Sequence, residues 1–470
     1  MKKTLTVLVA VAVMLTATVA GVGAFPAGEW VSGVTVANLD AADAHVWITF
    51  YRQDGTVALS YDGGTISGNS AKTWYLPSHV SGLPDPFIGS AVVEADVPIA
   101  ATVNTQLPSG SNPMRVGTSI GVGTPGPVMY ATQLMKEYSG WNSYCAVQNT
   151  GSTSIDVTAR YYNSAGAEVD VDTQAIPAFS SFIFDQSTDA ELGSGMYSAK
   201  FEGDATHPLA VVCNFYNSGA SASTSQFHSY NGLAQGADTL YIPRVVKDYY
   251  SYQSGLKIQN VGTEALSVTV AYNFGGNTYS QMSPNIGPGQ SWGPYLGDEA
   301  QLPASMAGVS GSGSAVVAVN DPNANKAIIA TINEDNRVDP AGRGVTYEAA
   351  LPTDGTATLV FPQVVSEYYG YSSGIQVSKV GTGALSCTAC YSGSGPVAAF
   401  CDNFSLTDTV PSWSQFAPNA SGMISGLAND DYNGSVTISC PGGSIIGISN
   451  LSFRYDRDNR FGNLLGDSFT

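Results

Sequence analysis

The sequence predicts an all-β protein of tandem β-sandwich domains, on three observations. One two-strand motif recurs four times at domain-length spacing, short alternating segments are divided by Gly, Pro and Ser turns, and helical periodicity is almost absent. The clearest copy of the motif runs from Ser254 to Asn273. There Leu256 and Ile258 alternate with Lys257 and Gln259, and Val268, Val270 and Tyr272 alternate with Thr269 and Ala271. Alternation of period two puts one set of side chains on a core and the other in water, so these are two half-buried strands with Asn260-Val261-Gly262 as the turn. Further copies begin at Ser32, Ser143 and Ser373. Val34, Cys145, Leu256 and Ile375 are equivalent and lie 111, 111 and 119 residues apart, the period of whole domains. A solenoid repeat is far shorter, about 20 to 50 residues.

From the amino terminus, Lys2 and Lys3 precede an apolar run from Leu5 to Ala20 and the small residues Val22-Gly23-Ala24. This order is that of a secretory signal peptide, residues 1–24, cut after Ala24. No later stretch reads as a membrane span, so the mature chain is expected to be exported whole. The chain holds 18 basic residues, of which Lys2 and Lys3 lie in the leader, and 37 acidic ones, leaving a mature net charge of about −21. Such a charge disfavours nucleic acid and anionic lipid as partners. Only 12% of residues are charged, and small and β-branched residues abound, which suits extracellular sandwiches better than a helical enzyme.

Three signatures follow the two strands in each unit, in the same order. A turn closed by an aromatic starts at Ile66, Ile176, Ile286 and Thr409; a strand opens at Gly89, Tyr197, Gly313 and Gly434; another opens at Pro98, Pro208, Ala327 and Ser444. Each unit thus supplies at least five or six short strands, with room for one before the first. The expected form is immunoglobulin-like, two antiparallel sheets packed face to face. The units are 25–124, 125–236, 237–355 and 356–470. The Gly/Ser/Pro-rich joins, such as Met114–Val128 and Arg337–Ala357, read as surface loops with short linkers. The Gln-Asn-x-Gly turn followed by an Ile-x-Pro-Gly turn resembles the CARDB-type and related immunoglobulin-like repeats of bacterial cell-surface proteins. That resemblance implies a sandwich fold and a role in adhesion or envelope architecture, and brings no catalytic residues. The first unit departs from it at Ala37-Asn38-Leu39-Asp40.

Six cysteines in an exported chain predict disulfides. Cys145 and Cys213 fall on inward positions of two strands and are paired here; Cys387 and Cys440 likewise. Cys390 faces outward and Cys401 follows a Gly/Ser turn, so these two form a cross-strand third pair. A redox or metal role for Cys387 and Cys390 is disfavoured, because a strand puts such neighbours on opposite faces.

Candidate chemistry is sparse. Gly117-Thr118-Ser119-Ile120-Gly121 fits the nucleophile pattern GxSxG but lies in a β-rich context without the required elbow, and is read as a Gly-rich loop. His45, His79, His207 and His228 show no metal-site spacing. Acidic clusters at Asp430, Asp431 and Asn433, at Glu334, Asp335 and Asp339, and at Asp456 and Asp458 are candidate calcium loops, with solvated loop acids as the plainer reading. Trp30, Trp141, Tyr252 and Tyr371 are equivalent aromatics before the first motif strand, suited either to packing between units or to a glycan- or protein-binding surface. Asn104, Asn214, Asn333 and Asn450 recur at the end of the last strand, where an amide is expected to bond nearby backbone. The function expected is a secreted, non-enzymatic structural or adhesive cell-surface protein, a surface-layer, filament or adhesin component. Its partners would be other surface proteins, itself or extracellular glycans; the alternative is a carbohydrate-binding array built on the aromatics.

Overall fold

The structure, a computed structural model, describes residues 9–15, 30–68, 70–107, 115–217, 226–336, 344–366, 371–394, 400–416, 432–453 and 467–469. Among them no helix is long and apolar enough to cross a membrane. The chain is all-β, and its strands form eight four-stranded antiparallel sheets. In the first sandwich the strands are β1 (Val9–Leu15), β2 (Val31–Asn38), β3 (Ala44–Arg52), β4 (Val57–Ile66), β5 (Ala71–Tyr75), β6 (Phe87–Ala95), β7 (Ile99–Leu107) and β8 (Arg115–Ile120). The second holds β9 (Val128–Lys136), β10 (Trp141–Asn149), β11 (Ile155–Asn163), β12 (Glu168–Ile176), β13 (Ser181–Asp185), β14 (Gly195–Glu202), β15 (Leu209–Asn217) and β16 (Phe227–Asn231). The third holds β17 (Thr239–Lys247), β18 (Tyr252–Asn260), β19 (Val268–Phe274), β20 (Asn277–Met282), β21 (Ser291–Trp292), β22 (Gly311–Val319), β23 (Ile328–Asn336) and β24 (Gly344–Glu348). The fourth holds β25 (Thr358–Ser366), β26 (Tyr371–Val380), β27 (Leu385–Ser394), β28 (Phe400–Leu406), β29 (Ser412–Phe416), β30 (Tyr432–Ser439), β31 (Ser444–Phe453) and β32 (Asp467–Phe469).

One topology is drawn four times. Numbering strands within a sandwich, one sheet has the order 1-6-3-4 and the other 5-2-7-8. Each pair of sheets encloses its own apolar core, because inward positions on strands 2, 3, 6 and 7 carry the aliphatic and aromatic side chains: Val34, Phe50, Val93 and Val103 in the first, Val147, Tyr161, Phe201 and Val211 in the second. Leu256, Tyr272, Val317 and Ile332 do so in the third, and Val377, Tyr391, Val436 and Ile445 in the fourth. Register preserves the equivalences across strands 2 and 7, where Val34 faces Val103, Cys145 faces Cys213, Leu256 faces Ile332 and Ile375 faces Ser449.

Two sequence expectations are corrected. Eight strands make a sandwich, above the minimum of five or six read from the sequence, and in the first three the eighth lies in a join that was read as a loop. β8, β16 and β24 each pair with strand 7. Their shortness and their Gly, Ser and Thr disguised them, although β16 and β24 also bury Phe227, Tyr230 and Tyr347. The recurrent asparagines also lie inside strand 7, not at its end. Asn104, Asn214 and Asn333 accept hydrogen bonds from the hydroxyls of Thr118 (2.5 Å), Ser229 (2.5 Å) and Thr346 (2.8 Å), the residues directly opposite on strand 8. Asn450, which faces Ser468, departs from this: its side-chain oxygen is buried without a hydrogen-bond partner among the described residues.

By internal contacts the chain divides into two units, Met1–Ala220 with Ser225–Gln235, and Ser221–Thr224 with Gly236–Thr470. Each unit contains two sandwiches. In the first, Trp30 packs on Phe227 with ring centroids 4.7 Å apart, in an apolar junction with Tyr144, Ala146 and Tyr216. In the second, polar contacts join an apolar one: buried Gln376 donates to the carbonyls of Pro243 and Gly313, each at 2.7 Å, its own oxygen accepts from Ser312 Oγ at 3.0 Å, and Ile448 opposite it is buried in the third sandwich's apolar cluster. Ala146 and Gln376 each follow the equivalent positions Cys145 and Ile375, so one surface position serves both junctions.

Candidate functional site

The densest group of chemistry-bearing side chains is one the sequence reading missed. Asp170, Asp172 and Asp189 bring carboxylate oxygens within 4.8 Å of one another. Asp170 and Asp172 sit two apart on β12, hence on one face, while Asp189 follows β13. β12 is the edge of its sheet and its alternation is inverted: Val169 and Val171 point to solvent, 41% and 43% exposed, and the acids take the half-buried side. The run Glu-Val-Asp-Val-Asp was therefore a visible signal, although Asp189 could not be joined to it without the fold.

Asp189 Oδ1 accepts the backbone N–H groups of Glu191 (2.9 Å) and Leu192 (3.2 Å), which fixes its turn. Asp170 Oδ2 and Asp189 Oδ2 are enclosed without a hydrogen-bond partner among the described residues. Burial, then the charges of Asp189, Asp170 and Glu191, push the Asp172 carboxyl up from 3.8 to about 6. Asp170 is raised as well, by burial first. Such a triad can share a proton or offer oxygens to a hard divalent cation. Inward acids on an edge strand also discourage pairing with a foreign strand.

The six cysteines form three bridges, Cys145–Cys213, Cys387–Cys440 and Cys390–Cys401, with Cα separations of 4.1, 4.2 and 4.1 Å. Each staples neighbouring strands of one sheet and does not tie the two sheets together. Of the aromatic positions, Trp30 is wholly buried in its junction, so it has no place in an exposed stacking ladder. Trp141 is half-buried against Phe215 and His228, both at 5.5 Å. Tyr252 is half-buried at the start of β18, and Tyr371 opens β26, its side chain outside the described residues. The most exposed of the described aromatics is instead Tyr250, 78% exposed at the tip of the hairpin Tyr249–Tyr252, ahead of Tyr138 at 44% and Trp47 at 41%. Its φ of 49° lies in the left-handed region, as does that of Ser251 at 67°.

Ser119 does not stand on an elbow or in a loop; it lies in β8, 8% exposed and opposite Val103. The histidines are dispersed: His45 meets Asp62 (2.7 Å), His207 meets Asp204 (2.9 Å), His79 accepts the N–H of Tyr75 (3.0 Å), and His228 stacks on Phe215 at 4.6 Å. Among the calcium candidates, Asn433 lies in β30 with its side chain not described, and Asp430, Asp431, Asp339, Asp456 and Asp458 fall outside the described residues. Glu334 is not a loop acid. It is 1% exposed and ion-paired to Arg244 Nε, at 2.8 and 3.0 Å.

No family model matches the chain, and no curated protein matches it. Among solved structures, a tetra-tandem repeat in the extending region of a large adhesion protein aligns at 12% identity over 94% of each chain, with a TM-score of 0.10. Escherichia coli alpha-2-macroglobulin activated by porcine elastase aligns at 9% identity over 97% of this chain and 44% of its own, with a TM-score of 0.11. These scores are too low to carry either a fold or a function.

Proposed function

We propose that this is a secreted, non-enzymatic structural or adhesive protein of the cell surface, made of four repeat units with the boundaries read from the sequence. The observation that supports it most is the fourfold copy of one eight-strand topology, joined pairwise through packed junctions. Copies of one rigid module serve to space and present surfaces, whereas catalysis needs one specialised site. Disulfide staples and the leader-like first segment support export. Negative-stain electron microscopy of the purified mature protein, at rising concentration and with or without millimolar calcium, tests the assembly role. Sheets or filaments are expected; dispersed particles under every condition would remove it. Calcium dependence lost in Asp172→Asn would place the ion at the carboxylate triad, and dependence retained there would direct attention to Asp430, Asp431 and Asn433.

A glycan-binding array is the second reading, and Tyr250 is what favours it, an exposed aromatic held at a strained position. On a glycan array, Tyr250→Gly should abolish binding while leaving the fold intact, since glycine adopts the left-handed turn freely. Unchanged binding would end that reading.

A further inference from the structure

In sandwiches two to four, strand 1 is built from the residues immediately before strand 2. β9, β17 and β25 each span nine residues, and four residues then lead to β10, β18 and β26. The first sandwich departs from this plan. Its strand 1 is β1, seven residues of the leader's apolar run, followed by fifteen residues before β2. β1 pairs antiparallel with β6, setting Val9, Val11, Val13 and Leu15 opposite Val93, Ala91, Gly89 and Phe87. Of those partners, Phe87, Ala91 and Val93 belong to the core. Cleavage after Ala24 would remove β1 and leave only Phe25–Trp30, six residues, ahead of β2, too few for a strand and its turn.

β6 is not made to be an edge. In the other sandwiches strand 6 lies between strands 1 and 3. The true edge strands carry devices against foreign pairing: Lys136 on β9, Pro243, Arg244 and Lys247 on β17, Pro362 on β25. The paired stretch of β6, Phe87–Val93, contains neither proline nor charge.

Resting on the leader reading, we propose that the processed first sandwich is one strand short and that the β6 edge accepts a strand from another polypeptide. The donor is an extended, uncharged segment, antiparallel to β6, with an apolar residue at every second position over about seven residues. The donor is a separate polypeptide because every described strand of the mature chain already has its place in a sheet.

The test begins with the amino terminus of the exported protein, by mass spectrometry. A chain that retains Val9–Leu15 would refute the leader reading itself. On protein beginning at Phe25, hydrogen exchange is then followed across Phe87–Val93, with and without a synthetic peptide of residues 8–16 flanked by lysines. Without peptide these amides should exchange at least about tenfold faster than those of β14, β22 and β30. Peptide should restore protection with one-to-one saturation, and a peptide carrying Val11→Asp and Val13→Asp should not. Full protection in the monomer without peptide, or no response to the apolar peptide, would overturn the proposal. Protection that rises with protein concentration alone would mean that a second copy covers β6, and would overturn the separate donor.

Discussion

The second and third sandwiches share strand order and the register of strands 2 and 7, yet fill equivalent positions with different chemistry. Where the second closes strands 2 and 7 with Cys145–Cys213, the third packs Leu256 against Ile332. Beneath strand 1 the second stacks Phe215 on His228, and the third buries the ion pair of Arg244 with Glu334, two residues beyond Ile332 as Phe215 is two beyond Cys213. On strand 4 the second places Asp172 and the third Gln281, opposite Ala159 and Val270 respectively, and Gln281 accepts from the Tyr272 hydroxyl at 3.1 Å. The lesson is that backbone register decides where a contact falls, and local satisfaction of volume and polarity decides what may occupy it.

What the two keep in common is the clip on the strand 2 turn. Asn149 donates to the carbonyls of Thr153, Ile176 and Pro177 at 2.7, 3.0 and 3.2 Å and accepts from Gly151 N–H at 2.8 Å. Asn260 donates to Glu264 and Ile286 at 2.8 and 2.9 Å and accepts from Gly262 at 2.9 Å. In the fourth sandwich Lys379 takes that place, donating to the Gly383 carbonyl at 2.5 Å and pairing with Asp408.

The largest effect expected from breaking the comparison is at the ion pair. Arg244→Met strands Glu334 as a buried charge and should cost the third sandwich about 3–5 kcal/mol in denaturant unfolding. Arg244→Gln with Glu334→Phe, which copies the second sandwich, should recover most of that loss; no recovery would show that the two cores are not interchangeable. Next comes the covalent staple. Cys145→Val with Cys213→Val imitates the first sandwich and should cost about 4 kcal/mol, from a closed loop of 68 residues, whereas opening Cys390–Cys401, which spans 11, should cost about 3. Equal losses would argue against loop closure as the source.

Smaller still, Asn260→Ala leaves buried carbonyls unpaired and should cost about 2 kcal/mol, read as faster hydrogen exchange in β18 and β19. The last effect is one of direction. With its carboxyl raised to about 6, Asp172 favours the protonated folded state, so the second sandwich should lose stability as pH climbs from about 4 to about 6. Asp172→Gln, which borrows the residue of the third sandwich, should flatten that segment of a melting-temperature profile and leave acid-side stability unchanged.

The repeat, the first two motif strands and the inward parity of Cys145, Leu256 and Ile375 were legible because alternation there coincides with burial. β12 was not, since its valines face water and its acids face inward, inverting the usual pattern. β8, β16 and β24 were hidden because they are only five or six residues long and set single apolar residues such as Tyr230 and Tyr347 among Gly, Ser and Thr, too short a run to show alternation. The Arg244–Glu334 pair was beyond reach of any local reading, because β17 and β23 belong to opposite sheets and meet only when the sandwich closes.

The bridge between strands 2 and 7 also governs how the second sandwich would yield to tension. Pulled from its ends, it can surrender strands 1 and 8, but the chain between Cys145 and Cys213 stays locked. That hidden length is 68 residues, about 230 Å of extended polypeptide. The third sandwich, with Leu256 and Ile332 at the same points, has no such stop. Under one load the two neighbours in sequence would therefore lengthen by very different amounts, and a reductant would erase the difference.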